Sequence, residues 1–122
     1  MHTAALWKNW STLTECVRAG TSVIHREVDE RSSDWTQAFI AAMHRNAVER
    51  AVPLVAAVGA QGVRRMLDVG GGSGAYSIAF AAANPELQAY ILDLVAVVPL
   101  AQRHIDEASL AGRVHTLSLI HI

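Results

Sequence analysis

Between positions 66 and 74 the chain reads Met-Leu-Asp-Val-Gly-Gly-Gly-Ser-Gly, and this run restricts the fold more than any other segment. A short apolar stretch ends in an acid, Asp68. Gly70, Gly72 and Gly74 then follow at alternate positions before an almost wholly apolar segment opens at Ala75. Glycines at that spacing let a backbone turn sharply out of a strand and let a ligand approach the main chain where a Cβ would clash. A helix behind them points its first free N–H groups at whatever binds there. The run therefore reads as strand, cofactor loop, helix. A turn without a ligand is the plain alternative, but such a turn needs one glycine and is weakened by three.

The rest of the chain fits that opening. After the strand Arg65–Val69, a helix over Ala75–Ala83 is apolar on nearly all sides and stops at Asn84-Pro85. A second strand spans Gln88–Leu92, and a second helix runs from about Val97 to Ser109. Pro99 is tolerated in its first turn, Leu100, Ala101, Ile105 and Ala108 form its apolar face, and Gly112 is expected to end it. A third strand begins at Val114. Strands alternating with helices imply right-handed parallel crossovers, hence an α/β sheet in the order 3-2-1. The first sixty residues carry no strand signal. Trp7, Trp10, Leu13 and Val17 share one helix face, which Gly20 is placed to end. A charged connector over His25–Ser33 follows. Asp34 with Gln37 resembles a capping box for a long helix on which Trp35, Phe39 and Met43 form a stripe. Pro53 is expected to kink or restart that helix, and Gly59 and Gly62 release the chain toward the first strand. Two segments result, a helical one over 1–60 and the nucleotide-binding one over 61–122.

Composition narrows the function classes. With 122 residues, 52% of them hydrophobic and 17% charged, and a net charge of −1, the chain is at most one globular domain and lacks an electrostatic footprint for nucleic acid. The apolar run Ala51–Ala60 is too short to span a bilayer, and the start lacks the layout of a signal peptide. A cytoplasmic protein is expected. Cys16, the single cysteine, sits between Leu13 and Val17 as a half-buried helix residue. The six histidines show no paired ligand spacing, so no metal is expected. His44 lies nearest the apolar stripe, where a lone histidine is ordinarily a solvated or hydrogen-bonded surface residue.

Two cofactors satisfy the loop. Gly70-x-Gly72-x-x-Ala75 meets the dinucleotide fingerprint, and Asp-x-Gly-x-Gly-x-Gly, starting at Asp68, is the first motif of S-adenosylmethionine-dependent methyltransferases. A carboxylate at the strand end would repel a pyrophosphate but attract a sulfonium and an ammonium. Asp68 thus favours the methyl donor over NAD. Asp93 ends the next apolar run, where such folds hydrogen-bond a ribose diol, and both cofactors contain a ribose. The plain reading of Asp93 is a helix cap before Pro99.

With these residues in view, the chain resembles the S-adenosylmethionine-dependent O-methyltransferases that act on small aromatic or polyketide-like hydroxyl compounds, the group of plant caffeate-type and bacterial antibiotic-tailoring enzymes. Leu67-Asp68-Val69-Gly70-Gly71-Gly72-Ser73-Gly74 carries the resemblance, and its double glycine before Gly72 is more specific than the general methyltransferase loop. Ile91-Leu92-Asp93-Leu94 is similar to the family's second strand, although Val95 stands where a proline is usual. Ala38–Met43 resembles a helix carrying a Phe-x-x-x-Met pair, and Leu6–Gly20 resembles the connector after a dimerisation domain. The resemblance implies the N-terminal half of a Rossmann-like methyltransferase sheet, preceded by helices. It implies S-adenosyl-L-methionine as cofactor, with Gly70, Gly72, Gly74 and Asp93 contacting it, Asp68 beside its methionine portion and Leu94 near its adenine. Trp35, Phe39 and Met43 would line the pocket of a small-molecule hydroxyl acceptor, their plain reading being helix core. The full-length family form would be a homodimer.

Two departures temper the expectation. The family's third strand leads into Gly-Asp-Phe/Met-Phe, whereas Leu117–Ile122 holds no such acid, and no histidine inherits the catalytic role by position. The expectation is a fragment with little or no turnover of its own, with no catalytic residue assigned and its last six residues foreign to the family pattern. An NAD-dependent oxidoreductase fragment and a non-catalytic nucleoside-binding module are the competing classes.

Overall fold

The apolar runs and glycine breaks from residue 65 onward form a three-stranded parallel sheet in the computed structural model, which describes Trp7, residues 10–23 and residues 33–119. The chain divides into two units, Met1–Ser32 and Ser33–Ile122. The first holds α1 (Leu13–Ala19), whose last turn is ended by Gly20 in the left-handed conformation, φ 66°. Trp7, Trp10, Leu13 and Val17 are exposed. The second unit runs α2 (Ser33–Val58), β1 (Arg65–Val69), α3 (Ala75–Ala83), β2 (Gln88–Leu94), α4 (Val98–Glu107) and β3 (Val114–Leu119).

The strand neighbours are β1-β2-β3, the expected 3-2-1 order read from the opposite edge. Both crossovers move the same way across the sheet, so a right-handed path lays α3 and α4 on one face. There Ala89, Ile91 and Val114 pack with Ala81 of α3 and Ala101 and Ile105 of α4, all but inaccessible to water. Alanines at 81, 89 and 101 let helix and sheet backbones approach, while Ile91 and Ile105 fill the space between. Burying each of these isoleucines is worth about 1.5–3 kcal/mol. On the opposite face the register aligns Leu67, Tyr90 and His115 in one row and Val69, Leu92 and Leu117 in the next. No helix among the described residues covers these rows, and Leu67 and Val69 are 58% and 68% exposed.

The amino ends of the strands are tied together by one buried side chain. Asn84, at the end of α3, donates from Nδ2 to the carbonyls of Ala60 (2.7 Å) and Val63 (2.8 Å). Its Oδ1 accepts the Glu86 N–H at 2.9 Å. Arg113 Nη1 adds donations to the carbonyls of Ala81 (2.6 Å) and Asn84 (3.0 Å). The turns entering all three strands are thereby pinned to the end of α3.

Several local expectations change. α2 passes through Pro53 without restarting. Pro53 and Glu49 are both exposed, so the Glu49 carbonyl that loses its partner meets water and the break is tolerated. Asp34 lies in the first turn of α2 and does not cap it, because the helix already begins at Ser33; there its charge still suits the helix dipole. β2 extends two residues beyond Leu92, since Asp93 and Leu94 find partners in Ser118 and Leu119. α4 ends before Gly112: Ser109 takes the left-handed conformation, φ 57°, and Leu110 N–H closes on the Ile105 carbonyl at 3.0 Å. Leu110 packing against the core supports that unusual serine. Of the charged connector over 25–33, residues 25–32 lie outside the described residues, as do 120–122. No helix among the described residues is long and apolar enough to cross a membrane.

Candidate cofactor site at the carboxyl ends of the strands

The glycine loop leaves β1 at Val69 and reaches α3 at Ala75, and its geometry assigns a separate task to each glycine. Gly70 (φ 70°), Gly72 (φ 58°) and Gly74 (φ 76°) adopt left-handed conformations that side chains resist. A Cβ on Gly70 would meet nothing within 4 Å, and on Gly72 only Ile40 Cδ1 at 3.9 Å. Those two positions face open space. A Cβ on Gly74 would stand 2.5 Å from Ile91 Cδ1, so this glycine lets α3 settle on the sheet. Gly71, outside the alternate set, is as tight. Its Cβ would lie 2.8 Å from Asp68 Cγ and 2.9 Å from Ile91 Cγ2.

The Asp68 carboxylate therefore sits beneath the loop, against Gly71. Its Oδ2 accepts the hydroxyl of Ser77, a fully buried residue in the first turn of α3, at 2.8 Å. Asp68 braces strand, loop and helix against one another. Asp93 holds the loop from the side: Oδ2 accepts the Gly72 N–H and Oδ1 the Leu94 N–H, each at 2.7 Å. It does not cap α4, whose cap position is Val97 without a side-chain bond.

Helix α2 closes the third side. Ile40 packs with Val97 and Leu100, and Phe39 and Leu94 join that cluster, so the predicted stripe reaches the tip of β2 beside Asp93. Trp35 stacks on Phe39 with ring centroids 5.0 Å apart and planes 8° from parallel. Trp35, Phe39 and Met43 are all half-buried. One turn further, His44 Nδ1 shares a 2.9 Å hydrogen bond with the Oγ of buried Ser73. The His44 ring stacks on His104 of α4 at 3.7 Å, nearly parallel, and His104 Nδ1 donates to Glu107 Oε2 at 3.2 Å. Burial first, and His104 second, hold the His44 imidazole below its ordinary pKa; Glu107 pulls weakly the other way.

The structure thus gathers Gly70, Gly72, Asp68, Asp93 and Leu94 around one loop, with Phe39 at its margin, and turns Gly74 to packing. Sequence reasoning gave no role to Ser73 or Ser77, marked Gly71 only as part of the double glycine, and placed His44 near the stripe without naming its partner. A serine within the loop and another at the start of α3 were visible in the chain. What they bond to depends on residues nine and twenty-nine positions away.

Comparison with known proteins identifies the family. The O-methyltransferase domain model matches residues 10–118. A 3-hydroxy-5-methyl-1-naphthoate 3-O-methyltransferase of Streptomyces sahachiroi is 43% identical over 63 residues, 52% of this chain and 18% of that protein. An L-tyrosine C(3)-methyltransferase of Streptomyces lavendulae is 41% identical over 61 residues, 50% of this chain and 17% of that protein. The solved structure of an O-methyltransferase family protein from Burkholderia thailandensis superposes with a TM-score of 0.81 at 27% identity, over 98% of this chain and 36% of that one. The chain accordingly matches less than a fifth of the curated relatives' length and about a third of the solved one. With the family model spanning the strands, the glycine loop and helix α2, the chain belongs to the O-methyltransferase domain family.

Proposed function

We propose that this chain supplies the donor-binding part of an S-adenosylmethionine-dependent O-methyltransferase acting on a hydroxyl of a small aromatic or polyketide-like molecule. The observation that carries the reading is the chemistry around the loop. Its hydrogen-bonding side chains are two carboxylates, Asp68 and Asp93, two hydroxyls and the His44 imidazole held toward its neutral form. That set suits a cationic ligand and disfavours the pyrophosphate of NAD, which sets the oxidoreductase alternative aside.

S-adenosyl-L-methionine, when bound, supplies a methyl group on a positively charged sulfur. In this reading Gly70 and Gly72 admit it to the backbone. Asp93 has lone pairs left after its two N–H bonds and accepts from the ribose hydroxyls. Asp68 contributes a negative field at the methionine end, and Leu94 packs by the adenine. Trp35, Phe39 and Met43 form one wall of the acceptor pocket, next to Asp93 through the Phe39–Leu94 cluster. The protein's contribution is to orient two reactants. We assign no catalytic base among the described residues, because His44, the histidine bonded into the loop, is committed to Ser73 and His104.

The two curated relatives have nearly equal identity to this chain, yet one is named for transfer to oxygen and the other for transfer to carbon. That supports a donor role for the segment the two relatives share with this chain. The whole enzyme on this reading is a cytoplasmic homodimer. Isothermal titration with S-adenosylhomocysteine and with NADH tests the proposal. Binding of the first in preference to the second is expected; preference for NADH, or binding of neither, overturns it.

A further inference from the structure

The cofactor loop has an anchor that its sequence motif does not contain. Ser73 is the one hydroxyl inside the glycine run, it is buried, and its Oγ meets His44 Nδ1 of α2 at 2.9 Å. One face of that imidazole stacks on His104, with ring centroids 3.7 Å apart and planes 5° from parallel. His104 is in turn held by Glu107 one turn along α4. The chain of contacts Ser73–His44–His104–Glu107 links the loop to two helices. We propose that His44 is a positioning residue for the methyl-donor loop, holding Ser73 while it is neutral and loosening the loop when it takes up a proton. The inference rests on the donor-site reading above.

The physical reason lies in the stack. Two imidazoles at van der Waals separation cannot both carry charge without strong repulsion. Among the described residues, the charged and titratable groups facing His44 come from α4, namely His104 and Glu107. The α3 residues beside the same cavity, Ala75, Ile78 and Ala79, are apolar and offer a cation no solvation. A neutral ring can keep either orientation of the Ser73 bond. A protonated ring has only donors, is poorly solvated, and is repelled whenever His104 is charged. The sign follows from the lowered value in the folded state. The neutral, anchoring form contributes fully above the ordinary pKa of 6.5, and that contribution is lost as pH falls below 6.5 toward the lowered value.

The test uses the 122-residue chain and two readouts. S-adenosylhomocysteine affinity is measured by titration calorimetry from about pH 8 to about pH 5, and hydrogen–deuterium exchange of residues 70–76 is followed over the same range without ligand. In the parent chain, affinity should fall and loop exchange should quicken as pH drops below 6.5 and through the lowered value of His44. His44→Asn keeps a polar atom near the Nδ1 position but does not titrate. It should bind within about twofold of the parent at pH 8 and lose the acid-dependent weakening. His44→Ala should bind about three- to tenfold more weakly at pH 8, one hydrogen bond's worth, with faster exchange in the loop and unchanged exchange in β3. The proposal is overturned if His44→Asn retains the parent's pH slope, or if His44→Ala leaves both affinity and loop exchange unaltered. If no S-adenosylhomocysteine binds to the parent while loop exchange still depends on His44 and pH, the donor-site reading fails and the anchor stands. Rapid exchange throughout residues 33–119 in the parent at pH 8 would show that the anchor does not hold the loop, and overturns it.

Discussion

The two ends of the parallel sheet are built on opposite terms. At the amino ends, the hydrogen-bonding groups turn inward: Asn84 uses its whole amide on Ala60, Val63 and Glu86, and Arg113 closes over two carbonyls of the same corner. At the carboxyl ends, bonds join loop to strand to helix singly, through Asp68–Ser77, Asp93–Gly72 and His44–Ser73. Between them Gly70 and Gly72 face open space. A closed end holds the strands in register, and an end with open space over Gly70 and Gly72 leaves room for a ligand beside the two carboxylates. Parallel α/β sheets place their ligands at the carboxyl ends of their strands.

That contrast can be broken by treating the ends unequally. Asn84→Ala removes two donors and an acceptor from a buried corner and should cost about 3 kcal/mol of stability in urea unfolding. S-adenosylhomocysteine affinity of the fraction still folded should stay within about twofold. A variant with unchanged stability and damaged binding would invert the assignment of the two ends.

Gly74 tests where the open end meets the core. Gly74→Ala should destabilise by about 2 kcal/mol, from the positive φ and from overlap with Ile91 Cδ1. Ile91→Val deletes that atom. In a double-mutant cycle followed by thermal unfolding, Ile91→Val should therefore cost less in the Gly74→Ala background than in the parent. Strict additivity would show that the helix, not the isoleucine, yields.

Asp68 separates bracing from charge. Asp68→Asn retains an acceptor for Ser77 and should leave unfolding stability within about 1 kcal/mol. It should nonetheless weaken S-adenosylhomocysteine about five- to tenfold while adenosine binding hardly changes, because only the former carries an ammonium. Equal losses for both ligands would reduce Asp68 to a brace. Gly59→Ala gives the smallest effect, about 1 kcal/mol of stability from its positive φ and no change in ligand affinity, as the position is open and remote from the loop.

The β-strands, the glycine loop and the helices α3 and α4 were legible in the sequence because their signals are local. Periodicity, a proline after Asn84 and a run of glycines act over a few residues, and they place the elements to within a residue or two. Asp68 and Asp93 were likewise legible as acids at strand tips. What each carboxylate touches was not. Asp68 turns beneath Gly71 to Ser77, and Asp93 takes the Gly72 N–H, only once β1 and β2 pair and α3 folds back over them. The same holds for the weakest local signals. Pro53 fails to break α2 because its surroundings are wet, and Ser109 displaces Gly112 as the stop of α4 because Leu110 is drawn into the core. His44 was read as a solvated or hydrogen-bonded surface histidine, and the packing of α2, α3 and α4 makes Ser73 its partner. Local patterning therefore determined which elements exist and where a ligand enters. The crossover packing decided which side chains face that ligand, since residues as distant in sequence as His44 and His104 meet only when the helices close on the sheet.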